Sequence, residues 1–259
     1  MVIPVHDENP VRRRPIVTYI LIALNFAVFL AEPIDHGTGG GATVAGVCRQ
    51  EQYFDQYAAV PKELTTNKQL PPHRTIVETD REAIPCPVHR YHKIPVLSVL
   101  TAMFLHGGWL HLLGNMLFLF VFGNNVEDRL GRLGFLAFYL FCGYVAAYVF
   151  ALSTPNSTQS LLGASGAIAG VLGAYLVLFP RARVLSLVPF LLFIPLRLPA
   201  WLVLGFWFVL QWIYSTGANV AQGADVAYLA HVAGFIAGAA VVLLLGMRAR
   251  NPQPPRYAG

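Results

Sequence analysis

The chain has 259 residues, 56% of them hydrophobic and 12% charged, with a formal net charge of +5 and a mean hydropathy of +0.55. A soluble domain carries about 25% charged residues, so this composition excludes an ordinary water-soluble globule and indicates an integral membrane protein. The positive balance does not indicate nucleic acid, because the basic residues outside the long first loop gather at the ends of apolar segments.

The first apolar segment, Ile16–Ala31, lies between Arg14 and Glu32-Pro33. Arg12-Arg13-Arg14 precedes it and no small-residue cleavage site follows, so it reads as a retained membrane helix rather than a signal peptide. A polar insertion then runs to about His92, opened by the glycine-rich His36–Gly46. The second apolar region, Ile94–Phe122, is interrupted by His106-Gly107-Gly108. Its front half reads as an interfacial or re-entrant piece and Leu110–Phe122 as the deeper helix. Four more spans follow at Gly134–Leu152, Leu162–Phe179, Leu198–Tyr214 and Val226–Gly246, each near the length that crosses roughly 30 Å of hydrocarbon. The chain thus divides into residues 1–32 (cytoplasmic N-terminus and first span), 33–93 (extracytoplasmic loop), 94–247 (membrane core) and 248–259 (cytoplasmic tail).

The loops set the orientation. Arg129 and Arg132 follow span two, Arg181 and Arg183 span four, and Arg248 and Arg250 span six. Ser153–Ser160 and Ser215–Asp225 hold no Lys or Arg, so with Arg12–Arg14 every such cluster falls on one side if both termini are cytoplasmic. The basic residues of the long first loop do not overturn this, since a loop of that length is translocated whatever its charge. Val184–Leu196, broken by Pro189 and Pro195, reads as a membrane-hugging loop rather than a seventh span. The expected fold is therefore an all-α polytopic bundle of six spans with a long outer loop between the first two.

Within the apolar segments the conspicuous polar groups are His106, His111, Asn115, Ser165 and His231, and intramembrane polar residues are costly enough to suggest function. Spans two, four and six all run inward, which places His111, Asn115, Ser165 and His231 at one outer level. His111 and Asn115, four apart, share a helix face. Serine is a weak nucleophile until a base takes its proton, a task suited to His231. The Ser165 backbone N–H, the Asn115 carboxamide and the His111 imidazole could then meet an oxyanion. No carboxylate lies at this depth, which leaves a Ser–His dyad. Gly166 with Gly170, and Gly234 with Gly238, form two GxxxG pairs that could bring span six against span four.

Three motifs carry a resemblance. They are His106-Gly-Gly-Trp-Leu-His111-Leu-Leu-Gly-Asn115 with Phe122-Gly123-Asn-Asn-Val-Glu127-Asp-Arg-Leu-Gly131, then Gly163-Ala-Ser165-Gly166-Ala-Ile-Ala-Gly170, then Ala230-His231-Val-Ala-Gly234-Phe-Ile-Ala-Gly238. From about Ile94 to Gly246 the chain resembles the rhomboid intramembrane serine proteases. The resemblance implies Ser165 as nucleophile, His231 as base, and His111 and Asn115 as oxyanion aids. It further implies a structural role for His106 and a brace at the base of the bundle for Glu127. Ala169 departs from members that carry an aromatic one turn after the nucleophile, stacked on the histidine. No cofactor or metal is implied. The implied partners are the lipid bilayer and single-span membrane proteins, cut where helix-weakening residues allow unwinding.

The aromatic span five, with Phe206 and Trp207, is a lateral-gate candidate, and the loop Ser215–Asp225 a cap. For Cys48 and Cys86 three readings stand in order: a disulfide, two free thiols, or a metal site with His89 and His92. Cys142 reads as a small core residue, and Glu127 with Arg129 could equally be a solvated ion pair. The rival functions are a histidine metalloenzyme, disfavoured because no HExxH occurs, and a non-catalytic binder of membrane helices.

Overall fold

The structure is a computed structural model and describes residues 3–9, 11–33, 43–72, 76–78, 83–188, 194–216, 227–247 and 249. The start of the glycine-rich insertion, Arg74, Arg81, Pro189, most of the Ser215–Asp225 loop and nearly all of the 248–259 tail lie outside them. The protein is mostly helical. A short strand β1 (Ile3–Asp7) precedes α1 (Ile16–Ala31), and the insertion holds α2 (Val44–Tyr57), α3 (Pro61–Thr66) and the hairpin β2 (Ile76–Glu78) and β3 (Ala83–Pro85). Then come α4 (Pro95–Ala102), α5 (Trp109–Phe118), a π turn at Leu119–Gly123, α6 (Asn124–Leu130), α7 (Arg132–Ser153) and α8 (Ser165–Leu178). Strands β4 (Arg183–Val188) and β5 (Ile194–Pro199) lead to α9 (Ala200–Ser215) and α10 (Tyr228–Leu244).

Helix α8 is the centre of the core. Its residues are buried without a break from Ala167 to Tyr175, the pattern of a helix with neighbours on every side. On one side it meets α10 backbone to backbone. A Cβ on Gly234 would strike the carbonyl oxygen of Gly166, and one on Gly238 would strike that of Gly170. Only glycine allows this approach. On another side α7 packs Cys142 against Gly170, so that thiol is a buried core group. The break at His106-Gly107-Gly108 separates α4 from α5, and α5 continues through the π turn into α6.

The described residues of the 33–93 insertion form a folded cap. Cys48 is joined to Cys86, with a Cα–Cα distance of 5.4 Å, so neither sulfur is left as a thiolate for a metal beside His89 and His92. Lys93 Nζ pairs with Glu63 at 2.6 Å, both side chains buried, and also donates to the Asp55 carbonyl at 2.9 Å. The cap sits on the bundle where Ala59 and Leu161 exchange two backbone hydrogen bonds, and where Ala59 and Leu64 pack with Val99, Ala102, Ala147 and Ala151.

Among the described residues, five strands correct the all-α expectation. The described residues of Val184–Leu196, expected as a membrane-hugging loop, lie in two strands: β4 pairs antiparallel with β5, from Arg183 opposite Pro199 to Val188 opposite Ile194, and β1 adds on the other side. The proline placement explains how so proline-rich a stretch makes a sheet. Proline cannot donate to a ladder, and Pro4, Pro195 and Pro199 all fall on the edge strands, while the central β4 has none.

The sheet anchors Asp7 beneath α8. The Tyr175 hydroxyl donates to the Asp7 carboxylate, as does Asn125 Nδ2 at 2.8 Å, and Asn9 closes the cluster by donating to Asn125 Oδ1 at 3.0 Å. Burial pushes the Asp7 carboxyl up to about 6, against the pull of Tyr175, Asn9 and Asn125. The sign follows from that. Above the folded-state value the ionised group bears a desolvation cost that the unfolded chain lacks, and the cost disappears as pH falls from about 6 towards the ordinary 3.8. The unfolding free energy of the wild type, minus that of Asp7→Asn, should therefore rise by up to roughly 3 kcal/mol between about pH 7 and about pH 4. Detergent-phase unfolding curves check this, and parallel pH dependence in the two proteins would contradict it.

Candidate active site

Ser165 is the first residue of α8 and His231 lies in the first turn of α10. Their side chains meet: Ser165 Oγ is 2.8 Å from His231 Nε2. The glycine crossing sets this spacing. Gly166 follows the serine directly and touches Gly234, one turn after the histidine, so the close backbone contact of the two helices begins just below the pair and continues through Gly170 and Gly238.

The backbone before the serine is equally constrained. Gly163 has φ +110°, a conformation that side chains rarely adopt, and its N–H donates to the Ala102 carbonyl at 2.8 Å. A Cβ there would stand 2.7 Å from His111 Nε2 and 3.7 Å from Asn115 Nδ2, so both side chains of α5 face the segment leading into Ser165. As the start of a helix, that segment also presents N–H groups with no intrahelical acceptor. A carbonyl lodged above Ser165 would meet donors from two directions.

His106 is fully buried, and its ring does more than anchor a loop. Asn115 Nδ2 donates to His106 Nε2 at 3.0 Å, and His106 Nδ1 lies 3.3 Å from the Phe104 carbonyl, which fits an Nδ1–H tautomer. The His106 backbone N–H donates to Glu32 Oε1 at 3.1 Å. Asn115 is thereby fixed by one amide proton and keeps a second. The His106 and His111 rings stand edge to face, 5.0 Å between centroids.

Around His231 the structure adds partners that the sequence reading passed over. Its Nδ1 is 2.7 Å from Gln211 Oε1 of α9, a buried side chain. Trp207 of α9 and Tyr228 of α10 flank the ring with centroids at 6.0 and 6.4 Å. Ala169 leaves no ring on α8 beside the histidine, and these two supply one from other helices. The signal for Gln211 was present, since it is the one carboxamide in the apolar Ala200–Ser215 and the rule that singled out Asn115 applies to it as well. Glu127 lies away from this site. Its carboxylate accepts from Val17 N, Thr18 N and Thr18 Oγ1 at 3.0, 2.7 and 2.7 Å, which caps the N-terminus of α1.

Ser165, His231, His111, Asn115 and Trp207 line a cavity of about 1040 Å³ that extends beneath Glu51 and Asp55 of the cap. The arrangement can activate a hydroxyl, hold an acyl group and receive an oxyanion.

The family profile described as "Rhomboid domain" matches residues 95–248. Among curated relatives, the chain is 40% identical over 85 residues to "Rhomboid-like protein 11, chloroplastic" of Arabidopsis thaliana, covering 32% of this chain and 30% of that protein. It is 30% identical over 147 residues to "Rhomboid protein 1, mitochondrial" of Saccharomyces cerevisiae, covering 55% of this chain and 40% of that one. To "Presenilin-associated rhomboid-like protein A, mitochondrial" of Danio rerio it is 36% identical over 94 residues, 35% of this chain and 24% of the relative. The matches thus span less than half the length of each of these relatives.

Proposed function

Because the chain belongs to the rhomboid family, a membrane-embedded family, we propose that it is an intramembrane serine endopeptidase that cuts transmembrane segments of other membrane proteins. The observation that carries this reading is the 2.8 Å contact between Ser165 Oγ and His231 Nε2 in the cavity lining. The reaction runs in two halves. Ser165 Oγ adds to the scissile carbonyl while its proton passes to His231 Nε2, and Asn115, His111 and the start of α8 receive the oxyanion. Collapse expels the amine, which takes the proton from His231 and leaves an acyl-serine. Water then adds, giving its proton to Nε2; the acid leaves and Ser165 recovers its hydrogen.

The setting follows the same reading. Among the described residues, two helices, Trp109–Leu130 and Arg132–Ser153, are long and apolar enough to cross a membrane, and four shorter apolar helices complete six crossings where the bilayer thins around the protein. Both termini face the cytoplasm, which puts the disulfide-bearing cap outside the cell membrane, where oxidation is favoured. A regular helix hides its carbonyls in hydrogen bonds, so the substrate is a single-span protein whose segment unwinds locally near the site. It enters beside α9. Trp207 fills the gap there, its ring 6.4 Å from Phe118 and 6.0 Å from His231, while Phe206 faces outward.

The test is direct. The purified protein, in detergent or vesicles, is given a single-span fluorescent substrate and, separately, a fluorophosphonate probe. We expect cleavage within or beside the transmembrane segment, and Ser165 as the labelled serine by peptide mass spectrometry. A protein that binds the substrate, leaves it intact and resists the probe would sink the protease reading and favour a helix binder.

A further inference from the structure

We propose that Gln211 is a positioning residue for the base: its Oε1 accepts the Nδ1–H of His231 and holds the imidazole in the tautomer that turns a bare Nε2 towards Ser165. The proposal rests on the protease reading of this site, and extends a two-residue arrangement to a third side chain on a third helix.

The geometry leaves the choice of tautomer to Gln211. Neutral imidazole carries one ring proton, and the two placements have opposite consequences. With the proton on Nε2, the ring would donate to Ser165 Oγ at 2.8 Å and could not accept the serine's proton. With the proton on Nδ1, Nε2 is an acceptor facing Oγ. An amide oxygen 2.7 Å from Nδ1 selects the second state, because it can only accept. Among the described residues, the other groups that meet the ring do not make that choice. Ser165 of α8 both donates and accepts, and Trp207 of α9 and Tyr228 of α10 meet the ring with their faces and edges.

The residue type suits the depth. When His231 takes the serine's proton, both its ring nitrogens carry hydrogens, and the Gln211 carbonyl dipole stabilises that cation without adding a second buried charge. A carboxylate in its place would have to be desolvated within the apolar bundle, a cost that a neutral amide avoids. Burying a carboxamide on an otherwise apolar helix is itself unfavourable unless a hydrogen bond compensates, and the His231 contact supplies one. Because Gln211 rides on α9, base alignment depends on α9 being seated against α10.

Two measurements test this. In protein labelled with ¹⁵N in histidine, the ring signals that vanish in His231→Ala identify His231, and we expect them to show Nδ1 protonated and Nε2 bare in the wild type. Gln211→Leu should spread the ring over both tautomers and lower kcat on the order of 10²-fold with KM little changed, whereas Gln211→Glu, whose desolvation cost falls on stability while its oxygen still accepts, should recover much of kcat in the folded protein. An Nε2–H ring in the wild type overturns the proposal, as does wild-type kcat in Gln211→Leu. Should Gln211→Leu fail to fold, the wild-type ring signals and the Gln211→Glu rate still decide. The two readings fail separately: a wild type that neither cleaves nor takes the probe, yet shows an Nδ1–H ring, ends the protease reading and leaves the Gln211 contact standing.

Discussion

Ser165→Ala and His231→Ala should each lower cleavage of a transmembrane substrate by on the order of 10⁵-fold or more, and the double replacement should be no worse than either alone. The reason lies in the shared proton. Without His231 the hydroxyl has no acceptor for its proton, and without Ser165 the imidazole has nothing to activate. Removing either destroys one composite nucleophile, so the losses do not add. Neither side chain holds the fold together. Both are half-buried on a cavity wall, and the α8–α10 contact beneath them is made by glycines. Initial rates of product formation for the four proteins, with unfolding temperatures beside them, give the comparison. Losses that multiply would mean that the two groups act independently and that the 2.8 Å contact is incidental.

The second large effect is on stability. Gly238→Ala should cost roughly 3 kcal/mol or more and take activity with it, while Gly205→Ala should be neutral or stabilising by up to about 1 kcal/mol. The two substitutions are chemically identical, and both glycines lie within helices. At Gly238 the new methyl would strike the backbone carbonyl of Gly170, which cannot swing aside as a side chain can. At Gly205 nothing lies within 4 Å, and alanine only improves helix propensity. Parting α8 from α10 by one methyl also parts Ser165 from His231, so cleavage by Gly238→Ala should fall further than its folded fraction. Thermal unfolding and specific activity of the pair measure this; equal behaviour would remove the close crossing as the source of site geometry.

Much of the candidate site is legible in the sequence, because a membrane makes polar residues conspicuous. Ser165, His231, His111 and Asn115 stood out as isolated polar groups in apolar runs, and counting residues from the loops placed them at one level. What escaped was whatever lacked that contrast or came from far along the chain. Gln211 was hidden among the tryptophans and phenylalanines of α9, whose bulk suggested a gate rather than a hydrogen-bond acceptor. The bond from Asn115 to His106 joins α5 to the turn before it, a pairing that no helical periodicity reports. The cap read as loop because its core is small, held by Cys48–Cys86 and the Lys93–Glu63 pair rather than by a long apolar face. The sheet was missed because its prolines look prohibitive until the strand order shows them on the edges.

That sheet also bears on the order in which the molecule can be completed. Strand β1 precedes α1 in the chain, yet the partners that hold it in the sheet and under α8 come much later. Asn9 waits for a residue 116 positions on, Asp7 for Tyr175 at 168, and Ile3–Asp7 for Val184–Leu187. Contacts of such long sequence separation form slowly, and β1 must stay unpaired until α8 and β4 have been made. Its docking closes the sheet edge and seats Asp7 beneath α8 in one event. A chain stalled before that point carries an open β4 edge, which distinguishes an unfinished molecule from a finished one.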